Sequence, residues 1–373
     1  VSAWAYPRPR SRGRASGERP VLALVLAALA LLGDLLGGEW ARAELILPHG
    51  FTARVYVTGE GFEAGTSRGV SGIPGTSTLA FDATGALYLA KTGRRYFGGE
   101  TDDLAPIYRI PVGGGRLTPD SEVRFLHGPP LPSPLVAGVR GGREVLVTTF
   151  DRERKLGVLY RLVDGRAALL AGGTPPRGTP PILRQPEGAA VDSAGRIYVA
   201  DRAAGAVLRL DPDGRVLDAS YVGISRPRVL AVDGQDGLWV AADGQAEAPW
   251  QNGPGEIWRV PPDGQPVLLL KGPMTAGMAL SPGGHLFVAD RQGGLVFALT
   301  AEGRRIDFAR FSDGDAPRSL VFAPVTAETQ KAGLAGDLFL VAIRRGAWPV
   351  NEILRISGPF DELIRQQLSA PGG

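Results

Sequence analysis

Apolar and polar positions alternate along the chain in short bursts. From Val191 to Asp201 it reads VDSAGRIYVAD: an apolar strand end, a polar turn opening on Asp192 and closing on Gly195, then a strand through Ile197, Tyr198 and Val199. Aspartate at the start of a turn accepts hydrogen bonds from nearby amides. Glycine at its end takes the positive φ that a Cβ penalises, so the stretch predicts a tight hairpin. The pattern returns as FDATGALYLA from Phe81, VDGQDGLWVA from Val232 and LSPGGHLFVAD from Leu280. Weaker copies are VRGGREVLVTT from Val139 and GDLFLVA from Gly336. Behind each comes a second apolar strand, as in PIYRIP from Pro106, AVLRLDPDG from Ala206 and EIWRVPPDG from Glu256.

Six such units follow one another. Their equivalent residues Leu87, Val145, Ile197, Leu238, Leu286 and Leu338 lie 58, 52, 41, 48 and 52 apart. A period of about 50 residues with about four strands per unit belongs to a propeller blade. One blade cannot bury both faces of its sheet alone, so six must stack. A spare strand, FTARVYVTG from Phe51, stands at the front, and little chain remains after Ser357 for the last blade's outer strand. The expected fold is therefore all-β: a six-bladed β-propeller of four-stranded blades, its ring closed by the N-terminal strand, which removes an open edge. A short helix is expected within Ala323–Gly336, which is rich in helix formers.

Composition agrees, with 53 glycines and 31 prolines beside 44% hydrophobic residues. The first 43 residues read differently. Five arginines between Arg8 and Arg19 precede the apolar run Val21–Gly33, and Ala41-Arg42-Ala43 follows. A basic flank, a short apolar core and a small-x-small end predict a secretory signal cleaved after Ala43. Residues 44–373 would then form the propeller, in the periplasm or secreted. The apolar run is short of the roughly 20 residues of a spanning helix, so no membrane span is expected after cleavage. The leader holds six arginines and three acids, and the whole chain has 41 basic and 38 acidic residues. The mature chain is thus balanced, with no general case for nucleic acid. With no cysteine, no disulfide staples the fold, and a large core must hold what is expected to be a monomer.

The unit from Gln185 to Val216, QPEGAAVDSAGRIYVADRAAGAVLRLDPDGRV, resembles an NHL repeat. The mature chain resembles the six-bladed propeller superfamily of NHL proteins and the senescence-marker/gluconolactonase group. LPHGFTARVYVTG, from Leu47, is also similar to the start of sorbosone-type quinoprotein dehydrogenases. The residues carrying the match are turn and core residues, specific for architecture and weak for activity.

In a propeller, ligands meet the end of the central channel where the innermost strands begin and the second-to-third strand loops lie. The strand starts carry Glu187, Arg228 and Arg318. The loops carry Arg94 and Arg95, Arg202, Arg291, and the tryptophans Trp250 and Trp348. Two arginines against one glutamate imply a surplus positive charge, suited to an anionic group in a guanidinium fork. The alternatives are a buried charge network that spaces the blades and, for the tryptophans, loop packing. Asp201 and Asp290 are expected to cap turns, their arginines pairing nearby.

Catalytic readings are less well supplied. The gluconolactonase resemblance implies a divalent metal held by one Glu and two Asn/Asp at the strand starts. Glu187 falls on one such position, but Arg228 stands on its neighbour and Thr76–Thr78 and Thr275/Ala276 on the others. A hard cation wants several oxygen ligands. The quinoprotein resemblance implies a histidine base, and His49, His127 and His285 all fall away from the mouth. No G-x-S-x-G turn, phosphate loop or HExxH helix is present. The expectation is a module that binds a small anionic or sugar-like ligand, or a protein partner, with no resident cofactor. Metal-dependent lactonase and quinoprotein sugar dehydrogenase remain as alternatives.

Overall fold

The computed structural model describes residues 45–59, 78–90, 104–118, 121–151, 154–245, 254–262, 264–312, 314–343 and 351–369. Six small sheets stand in a ring. Their innermost strands, Leu79–Phe81, Leu135–Arg140, Pro186–Val191, Pro227–Val232, Thr275–Leu280 and Ala316–Phe322, neighbour one another in that cyclic order, the last returning to the first. Each pairs antiparallel with the strand that follows it. The blades are numbered here in this order.

Blades 2, 3 and 4 have four strands each. Among the described residues blade 1 has three, with one further bridge, Tyr108 with Leu126, at its outer edge. Blade 6 is completed from the front of the chain: Thr52–Gly59 pairs antiparallel with Asn351–Ser357, so the ring closes as expected. Two outer edges receive a further strand, Leu45–Ile46 on blade 5 and Gly115–Leu117 on blade 6.

Side chains of the inner strands pack between blades. Tyr198, Ala200, Leu230 and Val240 fill the space between blades 3 and 4, and Val229, Ala241, Met278 and Val288 that between 4 and 5. Along the axis runs a cavity of about 280 Å³, touched by residues such as Phe81, Gly138, Ala189 and Met278. The inner strands are hydrogen-bonded on one side only. Their free backbone edges therefore face the axis, and the channel is more polar than its sequence implies.

The repeating aspartate is a hairpin organiser. Asp192 Oδ1 accepts from the amides of Ala194 (3.0 Å) and Arg196 (2.9 Å), and Oδ2 accepts from the Tyr198 hydroxyl (3.1 Å). Asp82 does the same with Thr84, Ala86 and Tyr88, and Asp233 with Gln235, Gly237 and Trp239. Burial, then Asp192, pushes the Tyr198 hydroxyl up to about 12, so it remains a donor at neutral pH. Gly195 closes its turn at φ +78°.

Blade 5 has Ser281 where blades 1, 3 and 4 have Asp82, Asp192 and Asp233. The missing carboxylate arrives from the C-terminal helix Phe360–Ser369: Ser281 Oγ donates to Asp361 Oδ1 (2.5 Å), and the Gly283 amide to Oδ2 (2.9 Å). At the helix's other end, Arg304 Nη2 donates to the Gln367 carbonyl (2.8 Å), where a cation suits the helix dipole. Phe360 is buried at the helix start in edge contact with Phe51, Phe287 and Phe322. A short helix, Ala327–Lys331, forms as expected, with Thr326 and Thr329 capping reciprocally.

Candidate functional site

The mouth is built on β-bulges. In blades 3 to 6 the pairing of the innermost strand slips near its start, and the slipped residues are Glu187-Gly188, Arg228, Ala276 and Arg318-Ser319. A bulge re-aims the side chains it carries. Proline opens the bulge at Pro186, Pro227 and Pro317, where a missing N–H costs little. Gly188 has a steric reason: a Cβ there would sit 2.4 Å from the Arg228 carbonyl oxygen, so blades 3 and 4 can approach this closely only with glycine.

The close approach brings together a closed ring of alternating charge. Arg228 Nε donates to Glu187 Oε2 (3.0 Å), and its Nη1 to Asp243 Oδ1 (3.1 Å). Arg202 Nη1 pairs with Asp243 Oδ2, and Arg202 Nε lies 3.7 Å from Glu187 Oε1. The Glu187 side chain is further touched by Gln185 Nε2 (3.5 Å), and its carbonyl accepts from the Thr148 hydroxyl (2.6 Å). A third guanidinium, Arg226, reaches Asp243 Oδ2 at 3.6 Å. All five charged side chains are largely removed from solvent, between 8% and 26% exposed.

Their electrostatics follow from the geometry. Burial works against the Arg228 charge, but Glu187 and then Asp243 outweigh it and raise its pKa. Burial alone would raise the Asp243 carboxyl. Arg228 and Arg202 overcome it and hold that carboxyl below its ordinary value. Arg226 moves the other way: burial, then Arg202, lower its pKa. Because Asp243 titrates lower folded than its unfolded value of about 3.9, the stability it lends is complete above that pH and is lost as pH falls through the folded value. Thermal unfolding followed from neutral pH downward should show the midpoint dropping below about pH 4, less steeply in Asp243→Asn.

The sequence-derived candidates divide. Glu187, Arg228 and Arg202 meet as expected. Arg318 holds the same bulged position in blade 6, with Ala276 of blade 5 between it and Arg228 in the cyclic order. The Arg291 side chain stands exposed on blade 5. Arg94, Arg95, Trp250 and Trp348 lie outside the described residues. Asp201 and Asp290 cap turns as expected: Asp201 accepts from the amides of Arg184, Gln185 and Ala204, and Asp290 from those of Met274, Gln292 and Gly293. Arg202, however, pairs across to blade 4.

Two members were missed as partners. The Asp243 amide bonds the Arg226 carbonyl as the Arg202 amide bonds Gln185 and the Arg291 amide bonds Met274. Asp243 is thus equivalent to those arginines and not to Asp201 and Asp290. The signal was one extra alanine, VAAD in blade 4 against VAD in its neighbours. Arg226, two residues before Arg228, is αR-incompatible at φ +54°.

This donor set does not fit a divalent cation. Both Glu187 oxygens face guanidinium groups, and an arginine stands where a second acid would be needed. The histidine that a quinone site would use is not at the mouth either. His285 ends a hairpin at the other end, His49 lies in a turn before Thr52, and His127 Nε2 accepts from the Gly165 amide (3.2 Å).

Residues 183–210 match the family model for the NHL repeat. Among solved structures, the PQQ-bound aldose sugar dehydrogenase of Streptomyces coelicolor is similar over 84% of this chain and 100% of its own, with 14% identity and a TM-score of 0.53. An auxiliary nutrient binding protein from Bacteroides thetaiotaomicron is similar over 85% and 77%, with 13% identity and a TM-score of 0.53. Virginiamycin B lyase from Staphylococcus aureus is similar over 84% and 99%, with 12% identity and a TM-score of 0.47. No curated protein matches the chain by sequence. At such identities the likeness is one of fold, and it defines the class: a six-bladed β-propeller with an NHL repeat in its third blade.

Proposed function

We propose that this chain is an exported binding module that takes an anionic or polyhydroxylated ligand at the channel mouth between blades 3 and 4. The observation that carries the reading is three guanidinium groups, Arg202, Arg226 and Arg228, gathered on the two carboxylates Glu187 and Asp243. Four of these charges close on themselves and hold the blades in register. Arg226 stands beside the closed ring, in surroundings that disfavour its own charge and so favour an incoming anion. With its oxygens held by arginines, Glu187 serves as a counter-ion and not as a general base, which supports binding over turnover.

Citrate, sulfate, gluconate and glucose separate the ligand classes. Citrate and gluconate should raise the melting temperature of the wild type more than glucose does, and Arg226→Gln should abolish the rise. No shift of the wild type with any of the anions would reject the reading. Export rests on the leader alone. Protein recovered from a secreting host should begin at Glu44, and Edman sequencing of the mature form checks it.

A further inference from the structure

The charges on the mouth-side face extend well beyond the channel. The hairpin joining the second and third strands of blade 2 carries Lys155 at this end, since Asp151 pairs with Leu156. The Pro-rich crossing from blade 2 to blade 3 lies against the same end. The Gly157 amide donates to the Leu183 carbonyl (3.0 Å), and the Arg184 amide to Asp201 (2.6 Å). This crossing exposes Arg177 and Arg184.

Lys155, Arg177 and Arg184 are exposed, and no described carboxylate lies within 4 Å of any of them. The described acids at this end of blades 2 to 4 are already engaged: Glu187 and Asp243 in the ring, Asp201 on backbone amides, Asp151 on the Arg154 amide (2.9 Å), and Glu256 on the Trp258 indole N–H (3.0 Å). A second, independent feature singles out the same surface. Of the five non-glycine residues at positive φ among the described residues, two are basic, Lys155 (φ 55°) and Arg226 (φ 54°), and both lie at the mouth end. Long side chains in this conformation cost on the order of 1 kcal/mol or more. A glycine would relieve that strain, so the fold alone gives no reason for a lysine there. Beside the arginines, Ile182 is 50% exposed, and the prolines hold the crossing rigid, which lowers the ordering cost of binding.

We propose that this face, from Lys155 across Arg177 and Arg184 to the channel mouth, docks an extended acidic polypeptide whose carboxylates meet the basic side chains and whose apolar residues meet Ile182. The proposal builds on the mouth reading but does not need it to hold, because its residues lie outside the ring. A peptide is favoured over a polysaccharide by the exposed isoleucine among the charges.

The test is fluorescence anisotropy with a labelled peptide of mixed glutamate and leucine, at low and physiological salt. The triple variant Lys155→Gly, Arg177→Ser, Arg184→Ser should bind roughly tenfold or more weakly, with a shallower salt dependence. Its melting temperature should stay level or rise, and its response to citrate should persist. The matched triple Arg143→Ser, Arg161→Ser, Arg166→Ser, towards the other end of blade 2, should bind as the wild type does. Equal loss in both triples, no loss in the first, or tighter binding of polygalacturonate than of the peptide would each overturn the proposal. Loss of the citrate response alone, with peptide binding intact, would reject the mouth reading and leave this one standing.

Discussion

Arg228→Met should lower the stability of the protein by about 3–5 kcal/mol, because it strands two buried carboxylates that now share one partner fewer. Glu187 loses its Nε contact and Asp243 its Nη1 contact in the same stroke. Urea unfolding of the variant beside Arg291→Met checks it. Arg291 is exposed, and its removal should stay within about 0.5 kcal/mol of the wild type. Adding Glu187→Gln to Arg228→Met should recover part of the loss, since the two residues act as one unit. A loss of less than about 1 kcal/mol for Arg228→Met alone would mean that the ring behaves like a surface ion pair.

A comparable loss is expected at the chain's other end. Phe360→Ala should cost about 3–5 kcal/mol through the cavity left among Phe51, Phe287, Phe308 and Phe322. The consequence reaches further than packing, because Phe360 seats the helix that brings Asp361 to Ser281. Calorimetry of Phe360→Ala should show a lowered midpoint, and Asp361→Ala a smaller fall of about 1–3 kcal/mol. Similar losses for the two would indicate that the carboxylate, and not the aromatic packing, holds the helix.

The blades were legible because each repeats a local device. Asp192, Gly195 and Tyr198 cooperate within seven residues, so their spacing survives as a readable pattern. The closing strand at Thr52–Gly59 was readable by subtraction, since the last unit lacked an outer strand. The C-terminal helix was not, because its tie to Ser281 spans 80 residues and blade 5 shares its missing aspartate with blades 2 and 6, which have Arg140 and Ala323 there. At the site, Glu187, Arg202 and Arg228 could be found from repeat position. Their mutual neutralisation could not, because it depends on Asp243 sitting one residue later than the aspartates it resembles. Charge counted by position thus gave a surplus of the right sign but missed one member of each charge, Asp243 and Arg226, the latter off the repeat register.

The pairing of Thr52 with Ser357 also sets a timetable. Closing a loop of about 300 residues carries an entropy cost near 5 kcal/mol on the logarithmic scaling of loop closure, and contacts so remote slow folding. A ribosome must deliver every blade of the ring before the strand Thr52–Gly59 can meet its neighbour. Until then the growing ring carries an unmatched strand on either side of its gap, open to pairing with other nascent copies. The ring therefore commits to its final shape only once Asn351–Ser357 has been made, and chaperone demand should peak in the interval before that.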